Sequence, residues 1–207
     1  MARSGAATRE RILDATEAMV FEHGFAGTSL DSVLARTGLT KGAFFYHFKS
    51  KAELGQALLE RFAERDIALL QRNLERAEGL SDDPLQQLLI FVGLLKEPLE
   101  ALTAPAPGCL FAAYLYQSGE FGPEVMAVAA DALGEWRRRL SAKFAAAAVR
   151  HPPVRAVDPD ALADHLTVTV EGAYVLSKGL NEAGVPARQL ALYRRFLEDL
   201  FSGEASS

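Results

Sequence analysis

Residues 28–54 read TSLDSVLARTGLTKGAFFYHFKSKAEL, and the side chains there best able to do chemistry are cations, hydroxyls and aromatic rings. Lys41, Lys49 and Lys51 lie close together, with no carboxylate between Asp31 and Glu53. A basic patch interleaved with Phe45, Tyr46 and His47 suits an anion, and a DNA phosphate backbone is the anion that fits it. Nucleophilic chemistry has no comparable constellation: Cys109 would need a base such as His165, and no pattern joins the two. His23, His47, His151 and His165 show none of the close spacings with Cys109 that build a metal site, so neither a catalytic residue nor a cofactor is expected.

To present that patch, the chain must form two short helices at a sharp angle. Thr28 with Asp31 three residues on makes a capping-box-like start, and Leu30, Val33 and Leu34 give the first helix an apolar face. Gly38 supplies the permissive backbone of a tight bend, and Thr40 caps the next helix and is itself a candidate DNA-binding residue. Leu39, Phe44 and Phe48 then point inward at helical spacing, which leaves Lys41, Gly42, Phe45 and Tyr46 toward solvent with His47 beside them. A helix entering the major groove by its N-terminus would bring Lys41 close to phosphates and base edges, with Gly42 allowing the backbone to approach. Ser50 and Glu53 form a second capping box, placing Lys51 in the first turn of a further helix, where an ammonium opposes the macrodipole unless an anion binds there.

Elsewhere helix signals recur and strand signals do not. Ile12, Ala15, Thr16, Met19 and Val20 mark one face of a helix over residues 8–24, ended by Gly24. A long helix runs from Ser50 to about Glu78, and an apolar one from Leu85 to Leu102 with Asp83 as cap and Pro84 at its first position. Prolines at 105 and 107 break the chain before a short helix from Cys109 to Gln117. Pro123 opens a helix with Val125, Ala129, Leu133, Trp136, Leu140 and Phe144 on one stripe. Asp131, Glu135, Arg138 and Arg139 on its other side read as a solvated surface. Two more helices, 158–183 and 185–201, complete an all-α chain of about nine. Its 207 residues carry a net charge of −5, yet residues 1–55 hold seven Lys or Arg against six Asp or Glu. The acidic excess therefore belongs to the remainder, and a basic patch acts locally over about a Debye length of 8 Å. No apolar run approaches the roughly 20 residues of a membrane span, and Met1 to Gly5 has no apolar signal core. With a single cysteine, a cytoplasmic protein is expected.

Residues 8–54 resemble the N-terminal domain of the TetR family of bacterial transcriptional repressors. The resemblance rests on Ile12, Ala15, Gly24-Phe25, Thr28-Ser29-Leu30, Gly38-Leu39-Thr40, Lys41-Gly42, Phe44, His47-Phe48, Lys51 and Leu54. It implies a three-helix domain with a helix-turn-helix at 1–54, and a helical ligand-binding and dimerisation domain at 55–207. It further implies that Thr28, Tyr46, His47 and Lys51 contact phosphate, while Ser29, Lys41, Gly42 and Ala43 lie nearest the bases. Phe45 departs from the family's usual tyrosine: a phosphate hydrogen bond is lost there, and an apolar contact with sugar or a thymine methyl takes its place.

An apolar second domain of about 150 residues is expected to dimerise, to sense a small molecule, or both. Phe91, Leu95, Cys109, Phe111, Tyr114, Tyr116 and Trp136 are the candidate lining of an apolar ligand pocket, although aromatics at helical spacing are also ordinary core. The final two helices, rich in Leu, Val and small residues, are the expected homodimer interface, as the resemblance also implies. His165 reads as a core histidine on the first of them. The expected function is a dimeric repressor released from a palindromic DNA operator by a small, largely apolar effector. The alternatives are a thiol sensor acting through Cys109, in which a helix N-terminus favours the thiolate, and, more remotely, an all-helical enzyme using Cys109.

Overall fold

The computed structural model describes residues 2–203. The helices are α1 (Ala2–Gly27), α2 (Leu30–Thr37), α3 (Lys41–Phe45), α4 (Lys51–Leu80), α5 (Pro84–Glu100), α6 (Leu110–Leu115), α7 (Pro123–Arg150), α8 (Pro159–Leu180) and α9 (Val185–Leu200). No strand occurs among the described residues. The chain is all-α, with the three N-terminal helices of the helix-turn-helix arrangement.

The helices divide into two compact units, one of residues up to Arg65 with Cys109–Asp131, the other of Asp66–Gly108 with Ala132 onward. In the first, α1 buries Ile12, Leu13, Met19 and Val20, while the buried Thr16 hydroxyl donates to the Ile12 carbonyl at 2.7 Å. Its helical run is broken at Gly24 (φ 73°, ψ 168°) before a last turn to Gly27. The expected stop at Gly24 is thus a break rather than an end. Beyond it, Gln117 Oε1 accepts from the Ala26 amide at 3.0 Å. Phe25, Tyr114 and Phe121 pack into one aromatic cluster, with Tyr114 stacked on Phe121 at 4.3 Å between centroids. The Tyr114 hydroxyl donates to the Gly55 carbonyl at 2.8 Å, and burial pushes its pKa up. Arg61 ties α4 to α1, reaching Glu10 at 2.9 Å and both Asp14 and Glu17 at 2.7 Å. Burial opposes the Arg61 charge, but the hydrogen-bonded carboxylates hold its pKa above the ordinary arginine value.

The second unit is built on α5, α8, α9 and the later parts of α4 and α7. Its core includes Leu70, Phe91, Leu140, Phe144, Leu166, Leu190 and Leu197. Asp83 caps α5 by accepting from the Leu85 and Gln86 amides at 2.9 and 3.1 Å, and its second oxygen meets His151 Nε2 at 2.6 Å. On α7, Glu135 is held by Arg138 and Arg139, whose hydrogen bonds lower its pKa to about 2. Tyr193 donates to the Leu162 carbonyl at 2.8 Å.

Two expectations need correction. Tyr116, the residue that ends α6, is exposed rather than part of an apolar lining. His165 is exposed as well, its ring set edge-on against Tyr193 and Phe196 at 5.1 and 5.2 Å; its apolar neighbours in sequence belong to another face of α8.

Candidate nucleic-acid interface

The two short helices are positioned by buried side chains beneath them. Ser29 rather than Thr28 caps α2: its hydroxyl oxygen accepts from the Ser32 amide at 3.0 Å. Thr28 is buried, and its own hydroxyl donates to the Gly24 carbonyl at 2.8 Å. Gly38 ends α2 in the left-handed region (φ 66°, ψ 21°), its amide donating to the Leu34 carbonyl. Two residues on, Thr40 Oγ1 accepts from the Ala43 amide at 3.2 Å, as its type and position predicted. Phe44 and Phe48 are both buried and lie 5.8 Å apart between centroids, which fixes the roll of α3 about its axis. Leu39 is half-buried beside them.

Burying that side of α3 turns the other outward. Lys41, Gly42 and Phe45 are exposed, and Tyr46 is 82% exposed. Ala43 and His47 are half-buried, with the His47 ring edge-on to Tyr46 at 5.0 Å. At the start of α4 the Ser50 hydroxyl accepts from the Glu53 amide at 3.1 Å. The returning carboxylate of Glu53 accepts from the Lys49 amide at 2.7 Å, one residue ahead of the expected cap. Lys51 lies in this first turn with its ammonium 4.5 Å from the centre of the Phe25 ring, a cation–π contact.

Charge pairing separates the lysines of this surface from Arg36, Arg61 and Arg65 of the same unit, although Arg11 on α1 also makes no ion pair among the described residues. Arg36 is bound to Glu22 by two hydrogen bonds of 3.0 and 3.1 Å, and Arg61 and Arg65 are held by α1 carboxylates. Lys41, Lys49 and Lys51 make no ion pair among the described residues. Cations left unpaired beside exposed rings can attract a polyanion at no cost in broken salt bridges.

The structure divides the candidate ligand-lining residues between the units. Phe91, Leu95 and Trp136 lie in the second, where Phe91 is buried and Leu95 and Trp136 are half-buried against the core. Cys109, Phe111 and Tyr114 lie in the first. There Cys109 is half-buried ahead of α6, Phe111 packs edge-on to Phe62 at 4.9 Å and Tyr114 belongs to the aromatic cluster. Among the described residues, no three His, Cys, Asp or Glu side chains come together as a metal site, and no helix is long and apolar enough to cross a membrane. Sequence patterning does not find Phe25, Gln117 or Phe121 as supports of the surface, since the Gln117–Ala26 hydrogen bond spans 91 residues.

Comparison with known proteins agrees with this layout. Residues 12–58 match the model for bacterial regulatory proteins of the tetR family, and residues 84–192 match that for the tetracyclin repressor-like C-terminal domain. The chain is similar to the transcriptional regulator AcuR of Cereibacter sphaeroides, 29% identical over 157 residues, or 76% of this chain and 70% of AcuR. It is 42% identical to the HTH-type transcriptional regulator TtgR of Pseudomonas putida over 80 residues, 38% of this chain and 36% of TtgR. Among solved structures, a TetR-family transcriptional regulator from Agrobacterium tumefaciens superposes with a TM-score of 0.76 at 19% identity, covering 95% of this chain and 99% of that one. The reduced form of E. coli NemR gives 0.73 at 20% identity, covering 97% and 100%.

Proposed function

Because the chain belongs to the tetR family of bacterial regulatory proteins and is a DNA-binding transcriptional regulator, we propose that it is a dimeric repressor of a palindromic operator, released by a small, largely apolar effector. Residues 1–54 hold DNA in this reading, and residues 55–207 carry the effector site and the dimer contact. Ser29, Lys41, Gly42 and Ala43 lie nearest the bases, with Tyr46, His47 and Lys51 on phosphate. Thr28 acts from below, since its hydroxyl is already committed to Gly24. Phe45, 43% exposed, offers an apolar contact.

The observation that carries this reading is the exposed face of α3 and the start of α4, where Lys41, Lys49 and Lys51 make no ion pair while Arg36, Arg61 and Arg65 are held by carboxylates. Support for the dimer comes from α8, which exposes Val168, Val175, Leu176 and Leu180, and from Leu192 on α9. Val168, Gly172, Val175 and Gly179 recur at steps of four, three and four residues, an apolar stripe narrow enough to take a second helix closely. A two-fold pair would present its recognition helices about one DNA turn apart, roughly 34–36 Å.

Selection of bound duplexes from a randomised pool, followed by gel shift on the recovered sequence, tests the proposal. The recovered site should be palindromic, and its affinity should fall steeply as salt rises. The double variant Lys41→Ala with Tyr46→Ala should weaken it at least about tenfold and leave the melting temperature unchanged, both side chains being exposed. Unaltered affinity in that variant, or affinity insensitive to salt, would rule the surface out.

A further inference from the structure

In the second unit, one partly buried carboxylate has no cation beside it. Asp66 on α4 accepts a hydrogen bond from the Trp136 indole N–H at 2.6 Å, and no lysine, arginine or histidine pairs with it among the described residues. Trp136 packs against the core and lies edge-on to the buried Phe91, with ring centroids 6.0 Å apart. Burial raises the Asp66 pKa, opposed only by the indole hydrogen bond. Seven residues on, along the same side of α4, Asn73 carries a buried Nδ2 that finds no acceptor.

Both groups are costly as they stand. An ionised carboxylate withdrawn from water without a counter-ion destabilises a fold, and a buried amide donor left unpaired does so as well. A hydrophobic residue at either position would remove that cost. Aligned on one helix side, with the Trp136 indole beside the carboxylate, they leave a negative charge without a counter-ion and an amide N–H without an acceptor. Resting on the reading that this region takes an effector, we propose that Asp66 anchors the protonated amine of an otherwise apolar effector. Trp136 orients the carboxylate, and Asn73 donates to an acceptor on the same molecule. Charge selects an amine over an alcohol, because only a cation neutralises Asp66. Two helical turns separate the anchors, which places amine and acceptor about 10 Å apart.

Trp136 is the chain's single tryptophan, so its fluorescence reports this site directly. The full-length protein is titrated with 6-phenylhexylamine, 6-phenylhexan-1-ol and 6-phenylhexanoate, three probes with one tail and different head groups. The amine should bind about tenfold or more tighter than the alcohol, and the acid most weakly. Asp66→Asn keeps an oxygen for the indole N–H but removes the charge. It should erase the preference for the amine while raising the melting temperature, since the desolvated charge is gone; this variant is therefore expected to fold. Equal binding of all three probes by the parent, or a preference that survives Asp66→Asn, would overturn the anchor. Should a chemically mixed library yield only uncharged or acidic binders, the anchor fails while the effector reading stands. If neither the probes nor the library bind, both fail together.

Discussion

Phe44→Ala is expected to lose about 3–5 kcal/mol of stability, the usual range for emptying a fully buried phenylalanine site, and to abolish operator binding. The ring has no exposed surface and contacts both Phe45 and Phe48. At five residues, α3 is far too short to hold its own backbone hydrogen bonds in water, so its conformation depends on the side chains that dock it. Removing one of the two buried rings leaves a cavity beneath a single helical turn. Urea denaturation followed by far-UV circular dichroism measures the loss, and gel shift measures the affinity. A variant within 1 kcal/mol of the parent would mean that α3 is held by something other than this ring.

Gly24→Ala is the second large effect, at about 3 kcal/mol. The backbone there occupies a region that side-chain-bearing residues almost never adopt, which costs roughly 1–3 kcal/mol. An added Cβ would also stand 2.6 Å from Gln117 Nε2. Gln117 can swing away, but only by giving up its hydrogen bond to the Ala26 amide, worth about 1 kcal/mol. The two contributions separate in a double-mutant cycle. Gln117→Ala alone should cost about that hydrogen bond, and the double variant should cost less than the sum of the singles, because the side chain that obstructs the new methyl is already gone. Strict additivity would place the whole cost in the backbone.

The fold was largely legible because its signals are local. Apolar residues at helical spacing, Pro84 and Pro159 at first helical positions and Thr40 as a cap are each decided within a few residues. The sequence leaves the cap of α2 ambiguous by one residue, because Thr28 and Ser29 both carry a hydroxyl with a polar residue three positions on. Which serves depends on the Gly24 carbonyl, and that lies across the break in α1. In the candidate interface, exposure of Lys41, Phe45 and Tyr46 followed from the inward spacing of Phe44 and Phe48. The supports behind it were hidden, since the Tyr114–Gly55 and Gln117–Ala26 hydrogen bonds join residues far apart in sequence. The same holds for Asp66, which no pattern links to Trp136 70 residues away. Among the aromatics, periodicity identifies burial but does not tell that Phe91 and Trp136 lie in one unit and Phe111 and Tyr114 in the other.

Lys51 illustrates how a hydrophobic interior can prepare a charged surface. Its ammonium already rests over the Phe25 ring, so most of the torsional freedom a lysine ordinarily surrenders on gripping its target was given up when the chain folded. In the reading proposed above, this cation meets the duplex as a rigid peg and Lys41 as a tethered one. Shrinking the ring beneath Lys51 would therefore slacken that grip through a residue that never touches nucleic acid.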